Sequence, residues 1–328
     1  MRESIFPGDE GAFPVLRAAD IPVEDGGPRW LVENLWSASA VGWIAGSPKS
    51  CKSWLALDLA VSVSTQTACL GHFPVREQGP ALVYLAEDAL RSVRERLEGI
   101  SEHRGLRLED LDVHVITAPS IRLDLARDQV RLQKTVRALG PRILILDPLV
   151  RLHRLDENLV SEVSALLSYL RDLQRELGVA IVLVHHTRKN HPQAGQAGQG
   201  LRGSGDFHAW SDSSCYLRRS RGELVLTIEH RAAAAPPPVV LRLVSRSDDS
   251  AHLEVAGPLV SQDSATLEAR ILDALQGETS LTRGALRDRL GVKNERLGET
   301  LEHLEKDGTL LRGPQGWRLS NVVPRSPP

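Results

Sequence analysis

Eight consecutive residues, Gly46-Ser47-Pro48-Lys49-Ser50-Cys51-Lys52-Ser53, put a glycine, a lysine and a hydroxyl at the spacing of the pattern G-x-x-x-x-G-K-[ST]. That spacing suits one chemical task. A turn of backbone N–H groups wraps an anionic phosphate, the lysine adds positive charge, and the hydroxyl ligates a divalent cation. Trp54 follows where the loop enters an apolar helix, so residues 46–54 make up the candidate phosphate cradle. Cys51 stands where the second glycine belongs. Glycine is usual there because it adopts positive φ and lets the backbone approach the phosphate closely. The competing reading is an ordinary strand-to-helix turn, in which Lys52 would set a cation against the positive end of a helix dipole. A bound phosphate removes that conflict.

Further polar groups follow later apolar runs: Glu87-Asp88 after residues 80–86, Asp147 after 142–146, and His185-His186 after 179–184. Nucleotide hydrolysis requires a held Mg²⁺, neutralised phosphate charge and a water oriented for in-line attack. Lys52 would supply the charge and Ser53 a metal ligand. Asp147 would hold the metal directly or through its water, the alternative being a helix cap. Glu87 is the candidate base that polarises the water, because it ends the strand expected to neighbour the phosphate loop, while Asp88 alternatively caps the next helix. One of His185 and His186 would sense the γ-phosphate and signal to the glycine-rich segment beyond, with His186 taken as the catalytic candidate. Adjacent residues on a strand point to opposite faces, which argues against a zinc site on the histidine pair.

These groups need elements to position them. The runs 41–46, 80–86, 112–116, 142–146 and 179–184 read as short apolar strands, and helical spacing fills the intervals: Ser53 to about Thr65, Leu90 to Ile100, 126–139, and Leu159 to Leu177. Such alternation predicts a mostly parallel sheet covered on both faces, whose ligands gather at the carboxyl ends of its strands. Strand-like runs at 214–219, 223–230, 239–244 and 251–256 extend that sheet in antiparallel fashion. Ahead of it, the proline-bearing residues 1–40 read as a strap pinned by Trp30-Leu31-Val32 and Leu35-Trp36, by packing or by stacking on a base. Residues 187–208 read as a mobile loop carrying Arg188, Lys189 and Arg202. The domains expected are the strap (1–40), the α/β domain (41–258), a small C-terminal domain (262–321) and a disordered tail (322–328). Three helices followed by a hairpin around Gly313-Pro314-Gln315-Gly316 make the small domain a winged helix.

Composition sets bounds on partners. A net charge of −2 excludes a chain that is basic throughout, so nucleic acid would be met by a local patch. Cys51, Cys69 and Cys215 are scattered and odd in number, which fits a reducing compartment without disulfides or a zinc cluster. No apolar run is long enough to span a bilayer. The cytoplasm is the expected location, with no membrane partner.

Taken in order, Gly46 to Ser53, Tyr84-Leu85-Ala86-Glu87-Asp88, Ile143-Leu144-Ile145-Leu146-Asp147, Val184-His185-His186 and Arg202-Gly203-Ser204 resemble the successive motifs of the RecA-like AAA-type P-loop ATPases that include plasmid RepA hexameric replicative helicases. The resemblance implies an α/β fold of RecA-type strand order. It also implies ATP with Mg²⁺ at the subunit interfaces of a homo-oligomeric, hexameric ring, Glu87 as catalytic carboxylate, and movement on DNA. An interface site calls for an arginine from a neighbouring subunit, for which Arg96, Arg202 and Arg231 are candidates. The 187–208 loop would meet single-stranded DNA. The winged helix is not part of the compact plasmid helicase pattern. Its third helix carries Arg296 and His303 beside Glu295, Glu299, Glu302 and Glu305, so a protein partner is as well supported there as DNA. Two further readings stand beside the motor: a slow ATP-dependent regulatory switch whose winged helix binds DNA or a protein, and a recombinase-like filament former.

Overall fold

The computed structural model describes residues 15–21, 29–155, 160–187, 205–220, 222–245, 250–258, 262–276, 280–292 and 294–320. Arg202 with the rest of 188–204, residues 1–14 and 22–28 of the strap, and the tail at 322–328 lie outside the described residues.

At Trp30 the chain forms a short antiparallel ribbon, β1 (Trp30–Val32) with β2 (Trp36–Ser37). Leu31, Val32, Leu35 and Trp36 are all buried, and Trp30 meets the His230 ring edge-on at 4.8 Å, so both tryptophans serve packing. The alternation then begins with β3 (Val41–Gly46), α1 (Lys52–Thr65), β4 (Ala81–Leu85), α2 (Leu90–His103), β5 (Val113–Val115), α3 (Ala126–Leu139), β6 (Ile143–Asp147), α4 (Val160–Leu177) and β7 (Ala180–His186). A short helix, α5 (Gly205–Trp210), leads into β8 (Ser213–Ser220), β9 (Glu223–His230), β10 (Val239–Ser245) and β11 (Ala251–Pro258).

These strands form one nine-stranded sheet in the order β11-β10-β9-β8-β3-β7-β6-β4-β5. The six from β8 to β5 are mutually parallel, and β9, β10 and β11 continue antiparallel from β8. This is the expected mostly parallel α/β sheet with an antiparallel extension. One expectation is corrected. The strand before Glu87 does not neighbour the phosphate-loop strand: β3 lies between β7 and β8, and both β7 and β6 separate it from β4.

Because β3, β4 and β6 are buried along their whole length, they read as continuous apolar runs, with alternate residues feeding two cores. On one side Ile44, Val83, Ile145, Val182 and Val184 pack with α1 and α2; on the other Trp43, Leu82, Leu144, Ile181 and Leu183 pack with α3 and α4. A buried ion pair ties α1 to the end of α2. Asp58 accepts the Leu70 backbone N–H at 2.7 Å and meets the Arg104 guanidinium at 2.7 Å.

The chain divides into two units between residues 258 and 259. The second holds α6 (Gln262–Leu275), α7 (Arg283–Leu290), α8 (Asn294–Lys306) and the hairpin β12 (Leu310–Gly313) with β13 (Gly316–Leu319). It has its own core of Leu267, Ile271, Leu286, Leu297, Leu301 and Trp317. Among the described residues no helix is long and apolar enough to cross a membrane.

Candidate functional site

The cradle begins where β3 ends. Gly46 packs so tightly against β8 that a Cβ there would collide with the Leu217 carbonyl and lie 2.6 Å from Ser50 Oγ. Beyond it, Lys49 and Cys51 both have φ of +62°. Cys51 therefore holds the left-handed conformation that makes glycine usual at this position. Ser50 Oγ and Lys52 Nζ both donate to the Ser47 carbonyl at 2.8 Å, drawing the loop closed over the start of α1. No side chain caps that helix, so its first backbone N–H groups suit an anion.

Lys52 is buried, and burial pulls its pKa below the usual lysine value, against the nearby charges of Asp147, Cys51 and Glu87. Asp147 is 7% exposed at the end of β6, and burial is the largest cause of a pKa raised to about 6. The charges of Asp88 and Glu87 push the same way, while a hydrogen bond with Ser53 and the charge of Lys52 oppose it. Among the described residues Asp147 Oδ2 is buried without a hydrogen-bond partner. A buried carboxylate oxygen in that condition, beside a serine hydroxyl, fits a hard divalent cation.

Glu87 extends to a half-exposed position and accepts from Arg151 Nε at 2.7 Å. Arg151 was not found by sequence reasoning, and no motif marks it. Asp88 is not a helix cap, since the residue before α2 is Ala89 and makes no side-chain cap bond. It is instead gripped by both Nη atoms of Arg96 at 2.7 and 3.0 Å, and the Arg96 guanidinium lies over the Trp54 ring at 5.6 Å. Arg96, offered as a residue acting on a neighbour, is thus engaged in its own chain.

One cavity of about 300 Å³ is lined by Lys49, Ser50, Cys51, Lys52, Ser53, Trp54, Glu87, Arg96, Asp147 and His186. The structure separates the two histidines. His186 faces this cavity, whereas His185 is 2% exposed and packs against the rings of Trp43 and Phe207 at 5.7 and 5.4 Å. His185 is a core residue and is withdrawn as a phosphate sensor. Arg231 is not at this cavity: it bonds Asp212 at 3.2 Å and the Ala209 carbonyl. Arg202 lies outside the described residues. A second cleft of about 490 Å³ shares Cys51 with this cavity and is also lined by Arg219 and Arg242, which no sequence motif indicated.

The family described as AAA domain matches residues 8–192, more than half of the chain. Among solved structures, the crystal structure of the RadB recombinase is similar with a TM-score of 0.47 and 16% identity, over 66% of this chain and 90% of that one.

Proposed function

The chain belongs to the AAA domain family of P-loop ATPases, and from that premise we propose that it is a Mg²⁺-dependent, ATP-hydrolysing motor acting on DNA as a RepA-like hexameric ring. The observation that carries the ATPase chemistry is the convergence of Lys52, Ser53, Glu87, Asp147 and His186 on one cavity at the carboxyl ends of the strands.

The 46–53 backbone and Lys52 bind and neutralise the phosphates of ATP. Ser53 and Asp147 would hold Mg²⁺, which when bound supplies charge neutralisation at the phosphate oxygens. Glu87 orients the attacking water and takes its proton, and Arg151 holds the Glu87 carboxylate in position. His186, on the strand beside Gly46, reads the state of the terminal phosphate and passes it to the 187–208 loop, the proposed contact with single-stranded DNA. Arg96 and Arg231 are each engaged with partners in their own subunit, which leaves Arg202 as the arginine that would reach a neighbour's site. Catalysis is positioning and electrostatic stabilisation, without a covalent enzyme intermediate.

The second unit is proposed as a winged helix on the strength of three helices and a following hairpin. Glu295, Glu299, Glu302 and Glu305 are all exposed on α8, which favours a protein partner over a phosphate backbone there. A slow regulatory switch is the second reading, and the strained conformation of Cys51 favours it. The test measures ATP binding and hydrolysis with and without single-stranded DNA. Lys52→Ala should abolish binding, and Glu87→Gln should bind ATP yet turn over at least about 100-fold more slowly. Stimulation by single-stranded DNA identifies the motor, and its absence the switch. Unchanged hydrolysis in both variants overturns the ATPase assignment.

A further inference from the structure

Away from the phosphate cavity, the outer edge of the sheet gathers a second set of ligating side chains. β11 is the outermost strand on its side of the sheet. Leu253 and Val255 on it pack into the core, so His252 and Glu254, two residues apart, share the opposite side of the strand. His103 is the last residue of α2, and its imidazole stacks on that of His252 with centroids 3.4 Å apart and planes 11° from parallel. His252 Nε2 lies 3.6 Å from Glu254 Oε2. One ligand atom from each of the three residues falls within 4.8 Å of the others.

Two features make this more than a surface coincidence. The backbones that carry the ligands are held at close range: a Cβ on Gly99, one turn before His103, would stand 2.7 Å from the Ala251 carbonyl oxygen, next to His252. The donors are also chemically matched, because two imidazole nitrogens and one carboxylate form a borderline set preferred by zinc. Bonds of about 2.0–2.2 Å in a tetrahedron separate neighbouring ligand atoms by about 3.4 Å. The His252–Glu254 distance is already close to that value. Two stacked rings cannot both aim a nitrogen at one ion, so the exposed His103 must swing out of the stack when the metal binds.

We propose that His103, His252 and Glu254 form a zinc site, with water in the fourth position, that clamps the end of α2 to the edge strand β11. The proposal is independent of the ATPase reading, since none of these residues lines the phosphate cavity.

The test uses the full chain without a histidine tag and Co²⁺ as a spectroscopic stand-in for Zn²⁺. One equivalent of Co²⁺ should produce the visible absorption of a tetrahedral site, Zn²⁺ should displace it, and Zn²⁺ should raise the thermal midpoint. His103→Ala and Glu254→Gln should each weaken metal binding by about tenfold or more, and His252→Ala should abolish the absorption. His252 is buried and its variant can fail to fold, so the decision rests on the other two, whose side chains are at least partly exposed. Absence of the tetrahedral absorption in the wild-type chain overturns the proposal, and so does wild-type affinity in both His103→Ala and Glu254→Gln. Loss of ATP hydrolysis in Lys52→Ala with the cobalt absorption intact would show the two sites to be separate.

Discussion

Replacing Asp147 by asparagine should make the nucleotide-free protein more stable near neutral pH while removing its hydrolysis. Asp147 is 7% exposed, and burial raises its pKa from 3.8 to about 6. The native state therefore holds this proton more tightly than the unfolded chain does. The resulting stability is complete below pH 3.8 and is lost as the pH rises through about 6. Roughly two pH units at about 1.4 kcal/mol each put the loss on the order of 3 kcal/mol. Asparagine avoids that loss and can still accept from Ser53. Its amide would sit where Asp147 Oδ2 has no partner among the described residues, and an unsatisfied buried donor costs about 1–2 kcal/mol. The expected net gain is about 1–2 kcal/mol at pH 7.5, falling away and reversing toward pH 4. Denaturant unfolding followed by tryptophan fluorescence measures this in the correct unit, because every tryptophan except Trp317 precedes residue 259. Adding Mg²⁺ and nucleotide should stabilise the wild-type chain more than the variant, since only the wild type keeps its carboxylate for the cation. A variant less stable than wild type at pH 7.5, by a margin that stays constant from pH 5 to 8, would refute the reasoning that a desolvated carboxylate is held there.

Two substitutions test the parts around it. Cys51→Gly should leave stability within about 1 kcal/mol, because relief of a left-handed cysteine, about 1–2 kcal/mol, is offset by the greater freedom of unfolded glycine. It should raise kcat if the cysteine slows turnover, and a flat kcat would show that the loop accommodates it. Asp58→Ala strips a buried partner from Arg104 and from the Leu70 N–H, and should lower unfolding free energy by about 3–5 kcal/mol in denaturant titration. A loss under about 1 kcal/mol would mean that the pair does not fasten α1 to α2.

Much of the α/β unit was legible because parallel strands buried on both faces leave continuous apolar runs. β3, β6 and β7 fall where such runs occur, and α3 occupies the 126–139 span that its periodicity marks. The same burial hid other facts. With Ile181, Val182, Leu183 and Val184 all apolar, no alternation showed which face of β7 meets α1, so the sequence could not say which histidine reaches the cavity. Strand order was also concealed, because hydrophobic pattern records that a strand is buried and not which strand lies beside it. The pairings of Arg151 with Glu87, Arg96 with Asp88 and Arg104 with Asp58 bring together residues whose partners carry no periodic signature.

How Glu87 reaches the phosphate loop without a neighbouring strand follows from two registers and one helix. In the first register Gly46 pairs with His186, which sets the imidazole beside the start of the loop. In the second Leu85 pairs with Asp147, and the Ala86 N–H donates to the Asp147 carbonyl at 2.7 Å, so Glu87 emerges just beyond the level of the buried carboxylate. α1 joins these two halves. It packs across β3, β7, β6 and β4 on one face of the sheet, and its first turn brings Lys52 and Ser53 over the intervening β7 toward Asp147. A crossing helix thus does what strand adjacency was expected to do. The acid that ends β4 can then serve a loop that ends β3 provided both strand registers and the burial of α1 are kept.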